Sequence, residues 1–385
     1  MQSGGDSTPE ESPTADETSS GGTTSTHTPS TGTSAGDGSE DVTLTESWTD
    51  EDGVDNIWTR EGTFYYNDYN YAAEASHGDG ISWSADTTYD GIDANLGADA
   101  FAADGRYVVF GYTPDPGENE EWGAHFHAYQ RYDGEEIWSV GAPSDGKHIN
   151  AAGATVVGNI AVLATSGFGR ESEQEPLLYG VDIETGETVW QTDQSVLPAA
   201  LLRYLGSFNG DVYLGTTKGV QVLASETGEV TETHDSWYIS RDGLESLGRM
   251  HGETLFAGWQ DRIDAHPAGN NGVSWSNTVL GRISTTPAAD NSLVVVGTED
   301  GNVYAFERES GETRWEASIT NSVAAIETTG SHVWVGDTDI GLTAYDRESG
   351  ELVHRSAKPV NGDDIAVADD ELLLGGDTAT AYNIN

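Results

Sequence analysis

Two histidines, His125 and His127 in the segment AHFHAY, sit two residues apart and could form a metal pair. On a strand, residues i and i+2 share a face, so both rings would project together. No third ligand accompanies them, whereas zinc sites take three or more protein donors, so ordinary sheet-face histidines are expected. Asp337, Thr338 and Asp339, followed by Gly341, space carboxylates like a small calcium loop. An acidic hairpin tip is the simpler reading, because Glu299-Asp300-Gly301 occupies the same place in the preceding copy of a repeat. The chain has no cysteine, which excludes a disulfide framework and thiolate ligands. No glycine-rich phosphate loop or nucleophile elbow precedes a helix. Binding chemistry is better represented. Trp122 lies in residues 113–123 (TPDPGENEEWG), Phe168 and Arg170 in residues 167–176 (GFGRESEQEP), and Trp237, Tyr238 and Arg241 in residues 233–243 (THDSWYISRDG). Exposed aromatics with arginine dominate binding hot spots. The alternative is that Trp122 and Trp237 fold back as loop plugs, since tryptophan is usually buried.

A repeat positions these loops. Residues 293–315, LVVVGTEDGNVYAFERESGETRW, recur in degraded copies along most of the chain. Two apolar strands are joined by a tight turn, a glycine hairpin follows, and a tryptophan closes the unit. The hairpin recurs as DIETGETVW (residues 182–190), as Asp133-Gly134-Glu135 before Trp138, as Thr227-Gly228-Glu229, and as Ser349-Gly350-Glu351 before His354. Glycine supplies the positive φ that closes the hairpin. A large aromatic on the outer strand fills the wedge between neighbouring sheets. A unit this small cannot bury its own apolar faces and must stack on its copies.

The pattern Asp-x-x-Thr-Gly-Glu-x-x-Trp resembles the repeat of propellers similar to those that bind pyrroloquinoline quinone (PQQ), over roughly residues 41–385. The resemblance implies an all-β propeller of four-stranded blades. The closing positions are Trp83, Trp138, Trp190, Glu232, Trp275, Trp315 and His354. An eighth blade follows if residues 41–48 (DVTLTESW), ending in Trp48, pair with the last strand near residues 378–383. Seven blades is the alternative, if residues 53–86 are not a full blade. Closure in this way predicts that both ends of the domain leave one face, with the long insertions on the other. The segment SHGDGISW (residues 76–83) resembles the Asp-box of sialidase propellers, but it occurs once and coincides with a blade hairpin.

Quinoprotein dehydrogenases share the resemblance, and they hold their quinone with a calcium ion, a catalytic Asp and often a vicinal cysteine pair. None of those residues can be matched here, so no cofactor, metal or catalytic residue is expected. The chain also resembles bacterial lipoprotein propellers that support outer-membrane protein assembly. The reading is a non-catalytic binding or scaffold propeller with a protein or cell-envelope partner, expected as a monomer. A dehydrogenase-like enzyme and a structural or adhesion component of the envelope are the alternatives.

Composition bounds the setting. There are 66 acidic against 16 basic residues, a net charge of −50. Residues 1–40 hold seven of the acids and none of the bases, so the charge belongs mostly to the repeat region. Such a surface repels itself at low salt, and molar salt shortens the screening length to about 3 Å. An extreme halophile, most simply a haloarchaeon, fits this. No basic stripe exists for nucleic acid. Residues 1–40 are rich in Ser, Thr, Gly and acid, and lack large apolar side chains after Met1. They are expected to be a disordered stalk. The stalk resembles the region after the anchoring cysteine of haloarchaeal lipoproteins, with Met1 standing where such a cysteine could have been. That implies an extracytoplasmic, cell-surface protein whose only membrane attachment is a lost lipid anchor. No apolar run is long enough to cross a bilayer.

Overall fold

The computed structural model describes residues 42–385, apart from residues 51–53, 55, 69–70, 77–79, 88–93, 115–122, 142–148, 168–176, 193–201, 217–218, 236, 238–247, 271, 338–340, 357–364 and 377. The expected stalk therefore lies outside the described residues. From Val42 onward the described regular structure is strand, arranged as eight four-stranded antiparallel sheets. The domain is an eight-bladed β-propeller.

Blades 1 to 7 each run from an inner strand a to an outer strand d. Blade 1 begins with Asn56–Arg60 and ends with Gly80–Asp86; blade 2 runs from Ala94–Ala103 to Glu136–Gly141. Blades 3 and 4 run from Ile149–Val157 to Thr188–Gln191 and from Leu202–Phe208 to Val230–His234. Blades 5, 6 and 7 run from Gly248–His251 to Trp275–Thr278, from Ala288–Ala289 to Thr313–Ser318, and from Val323–Thr328 to Leu352–Ser356. Blade 8 takes Ile365–Ala368, Glu371–Leu374 and Ala379–Ile384 from the C-terminus and its outer strand, Leu44–Asp50, from the other end. The irregular stretch at residues 53–86 is thus a true blade.

Closure follows the expected pairing, and its register sets Leu44 opposite Ile384 and Trp48 opposite Ala381. The backbones of Thr43 and Asn385 exchange hydrogen bonds at 3.0 and 2.9 Å, finishing the ladder. This pairing leaves no unpaired edge inside the last blade, which is what a propeller needs to remain a closed array.

Apolar packing lies between blades. The two middle strands of each blade, b and then c in order from a to d, are buried on both faces, as in strand b of blade 6, Leu293–Gly297, where every residue is buried. One core cluster joins Val109, Phe126 and Trp138 of blade 2 to Leu163 and Val181 of blade 3, and another joins Phe256 and Trp275 of blade 5 to Val294 and Phe306 of blade 6. The outer strands alternate and stay half open, which suits the rim of the ring.

Candidate functional site

The repeat motif builds a lock between neighbours. Five tryptophans at the closing position donate their indole N–H to a backbone carbonyl of the next blade: Trp83 to Arg131 and Trp138 to Ile183 (2.8 Å each), Trp190 to Ser225 (2.7 Å), Trp275 to Arg308 (2.8 Å) and Trp315 to Arg347 (2.9 Å). Each ring also covers the hairpin glycine of that next blade. A methyl group added at Gly134 would lie 2.6 Å from the Trp83 ring, and one at Gly186 2.8 Å from Trp138. The glycine therefore serves two ends: its φ, +74° at Gly186, closes the hairpin, and its missing side chain admits the indole. Trp48 covers Gly80 in the same way, more loosely.

Small residues on strand c make room for the indole. Trp138 lies opposite Ala128, Trp315 opposite Ala305, and Trp190 opposite Gly180. Rows that lose the tryptophan gain bulk further in. Blade 4 has Tyr213–Val222–Glu232 and blade 7 has Trp334–Ala344–His354. The Tyr213 hydroxyl reaches the Gly269 backbone of blade 5. His354 keeps the hydrogen bond of the lock, its Nδ1 lying 2.8 Å from the Val42 carbonyl.

An arginine clasp on the hairpin side was not anticipated. Arg131, Arg308 and Arg347 occupy one repeat position, three residues before the hairpin glycine, and each reaches back to the first hairpin of the preceding blade. Arg131 meets Glu61 at 2.8 Å, Arg308 the His251 carbonyl at 3.3 Å, and Arg347 the Asp290 carboxylate at 2.5 Å. The signal was visible in the sequence as R-Y-D-G, R-E-S-G and R-E-S-G. Burial would raise the Asp290 pKa. The Ser292 and Leu293 amides and Arg347 outweigh it and hold the carboxyl below its ordinary value. In blade 1, Glu74 stands where the other tryptophan rows carry Ala or Gly, and burial pushes its pKa up.

The structure places the predicted site residues as follows. The described strand ends flanking residues 115–122 and 168–176 join strands b and c, and those flanking residues 238–247 join strand d to the next strand a. In this up-and-down order those ends share a face, opposite the Leu44–Ile384 end. Trp122, Phe168, Arg170, Tyr238 and Arg241 lie outside the described residues. Trp237 requires a correction. It is fully buried, with His234 stacked on one face at 3.9 Å and His266 on the other at 4.5 Å. A side chain with no exposed surface fills the wedge between blades 4 and 5 and cannot serve as a contact for a partner.

The two candidate metal groups sit on strand c of blade 2 and at the end of strand b of blade 7. His127 is buried between the rings of Tyr112 and Tyr129, 3.8 Å from Glu136. Asp337 is buried at a strand end opposite Gly341, and Thr338 and Asp339 lie outside the described residues. Among the described residues no three His, Cys, Asp or Glu side chains converge as metal ligands.

The inner strands of all eight blades surround a channel of about 730 Å3. Of its described lining residues Glu327 is the one carboxylate, and it is paired with Arg249 at 3.4 Å. Trp58 and Phe101 stack at 4.8 Å in its wall, and Thr155 donates to Ser207 at 2.9 Å. One carboxylate already tied to a cation supplies neither a calcium cage nor a free base. This donor set does not fit a calcium-held quinone.

A family model described as outer membrane protein assembly factor BamB matches residues 72–265 and 259–383. Curated proteins with that description are similar over parts of the chain. The one from Salmonella typhimurium is 26% identical over 63% of this chain and 66% of its own length. The one from Burkholderia pseudomallei is 27% identical over 38% of each. The chain thus spans less than two thirds of these relatives' lengths. Among solved structures, BamB from Moraxella catarrhalis superposes with a TM-score of 0.63 at 16% identity, covering 89% of this chain and all of that one. A quinohemoprotein alcohol dehydrogenase from Comamonas testosteroni gives 0.62 at 12% identity, over 90% and 76%. At such identities these likenesses speak to fold alone.

Proposed function

The chain belongs to the family of the outer membrane protein assembly factor BamB, and from that premise we propose that it is a non-catalytic scaffold propeller that captures a protein partner outside the cytoplasm. The observation that carries this reading is the closure register. Leu44 opposite Ile384 brings both ends of the domain to one face, and the strand ends bearing the long insertions belong to the other. A tether at residues 1–40 would then leave the insertion-bearing face turned away from its attachment. A coil of that length would span on the order of 35 Å, which would keep the domain near the surface that anchors it.

The contact residues proposed are Trp122, Phe168, Arg170, Tyr238 and Arg241, whose residue types suit hot spots. The stalk is proposed to carry a lipid anchor in the native form, and the acidic surface to suit molar salt. The family premise and the channel chemistry both weigh against the dehydrogenase alternative. The tethered outward face suits capture of a partner better than a purely structural envelope role.

The test is affinity capture in molar salt from the envelope of the source organism. Alanine at the five positions is expected to abolish recovery of the captured partner while leaving the melting temperature unchanged. Full recovery with all five replaced would contradict the assignment. A quinone absorption band in protein purified from that source would overturn the non-catalytic reading.

A further inference from the structure

The junction between blades 4 and 5 is built differently from the other tryptophan junctions. At three of those junctions the lock indole packs on an aromatic residue of strand c in the next blade: Trp83 on Tyr129, Trp275 on Phe306 and Trp315 on Tyr345, with ring centres 5.6 to 6.1 Å apart; Trp138 and Trp190 cluster with Val181 and Leu223 instead. In blade 5 the equivalent residue is His266, which directly follows Ala265 as Phe306 follows Ala305. Strand d of blade 4 offers Glu232 instead of a tryptophan. Trp237, beyond the end of that strand, inserts in its place.

The insertion is held by ring faces. His234 of blade 4 and His266 of blade 5 sandwich the indole at interplanar angles of 7° and 25°, and its N–H has no hydrogen-bond partner among the described residues. All three rings are buried, at 3%, 0% and 0% exposure for His234, Trp237 and His266. Among the described residues the charged groups around them are few. Glu232 lies 3.3 Å from His234, and Asp264, itself buried, is paired with Arg262 at 2.5 Å. Asp235 follows His234 and is exposed. Leu255 and Val220, opposite the two histidines, carry no charge.

We propose that this junction is an acid-sensitive seam: the stacked imidazoles of His234 and His266 hold Trp237 between the blades, and proton uptake at His266 releases it. A buried imidazolium loses its hydration, which outweighs any gain from a cation over the indole face. Burial accordingly lowers the His266 pKa to about 4, although Asp264 pulls the other way. The neutral ring contributes stability that is fully present above its ordinary pKa of about 6.5 and is lost as pH falls towards about 4. The many surface carboxylates respond oppositely, because their protonation relieves self-repulsion. Global melting therefore mixes two trends, and the seam must be read locally.

The experiment is hydrogen exchange read by mass spectrometry, corrected for intrinsic rates, at pH 7 and pH 4.5 in molar salt. Wild type is expected to show about tenfold faster exchange at pH 4.5 in Val230–His234 and Arg262–Pro267, with no change in Thr313–Ser318 and Gly341–Asp346 at the Trp315–Tyr345 junction. His266→Phe keeps a ring against Trp237 and cannot titrate, so its seam should be indifferent to pH. An unchanged wild-type seam, or an equal acid response in His266→Phe, overturns the proposal. Should that variant fail to fold, the His266 ring resonances of the wild type decide: titration below about pH 6 together with a shift of the Trp237 indole supports the seam, and titration at or above it refutes the seam.

Discussion

His354 Nδ1 lies 2.8 Å from the carbonyl oxygen of Val42, joining the seventh blade to the segment that completes the eighth. The contact repeats, with an imidazole, what tryptophan indoles do at five other junctions. It spans 312 residues of sequence and sits beside the Thr43–Asn385 backbone pair. The ring is therefore closed twice at one place, by the ladder of the last blade and by a side chain of its neighbour.

Removing residues 1–50 should expose the edge of Ala379–Ile384 in the closing blade and leave His354 without its acceptor. A fall in melting temperature of at least several degrees is expected, as for any loss of a few kcal/mol. Removing residues 1–38 should leave the curve unmoved. Equal melting of the two truncations would show that the N-terminal strand does not close the ring.

The two tasks of the hairpin glycine can be separated. Gly134 and Gly269 have nearly the same φ, +68° and +70°, yet only Gly134 is covered by an indole. Gly269→Ala should cost about 1 kcal/mol for backbone strain alone, and Gly134→Ala about 2–4 kcal/mol once the displaced Trp83 is added. Denaturant titration of both variants gives the difference, and similar costs would mean that the indole contributes little to the lock.

The Asp290–Arg347 clasp should make stability fall in acid. The Asp290 carboxyl is held below its ordinary value, so its contribution is present above about pH 4 and is lost as pH drops through the folded value. Asp290→Asn should cost about 1–3 kcal/mol at pH 7 and much less at pH 3. A cost independent of pH would place the effect in packing.

Much of the fold was legible because one chemical rule repeats. A glycine hairpin and a closing aromatic recur at fixed spacing, and the orphan strand at residues 41–48 had one partner available. Boundaries shifted by a few residues, to Leu44–Asp50, because register depends on neighbours that sequence does not name. Trp237 could not be placed from sequence. Its loop composition suits a contact surface, and only the absence of a tryptophan at Glu232 reveals the wedge it fills. The compensation by Tyr213 and Trp334 was hidden for the same reason, since rows cross strands far apart in the chain. The arginine clasp was readable and passed unnoticed, because a charged residue near a turn usually faces solvent.

Salt should stabilise the domain. With a net charge of −50, the melting temperature is expected to rise steeply from low salt to molar potassium or sodium chloride. A melting curve indifferent to salt would remove the halophilic reading and leave the fold untouched.

The most direct measurement of the scaffold reading is site-specific photo-crosslinking in native envelopes at molar salt. A photoreactive residue at Phe168, in the insertion that follows Ile160–Gly167, should give one saturable adduct, identified by mass spectrometry and competed away by unlabelled propeller. The same group at Asn159, in the first hairpin of blade 3 on the opposite face, should give none. An adduct at Asn159 with silence at Phe168 would contradict the account, because the partner would then sit on the face where both ends of the domain emerge.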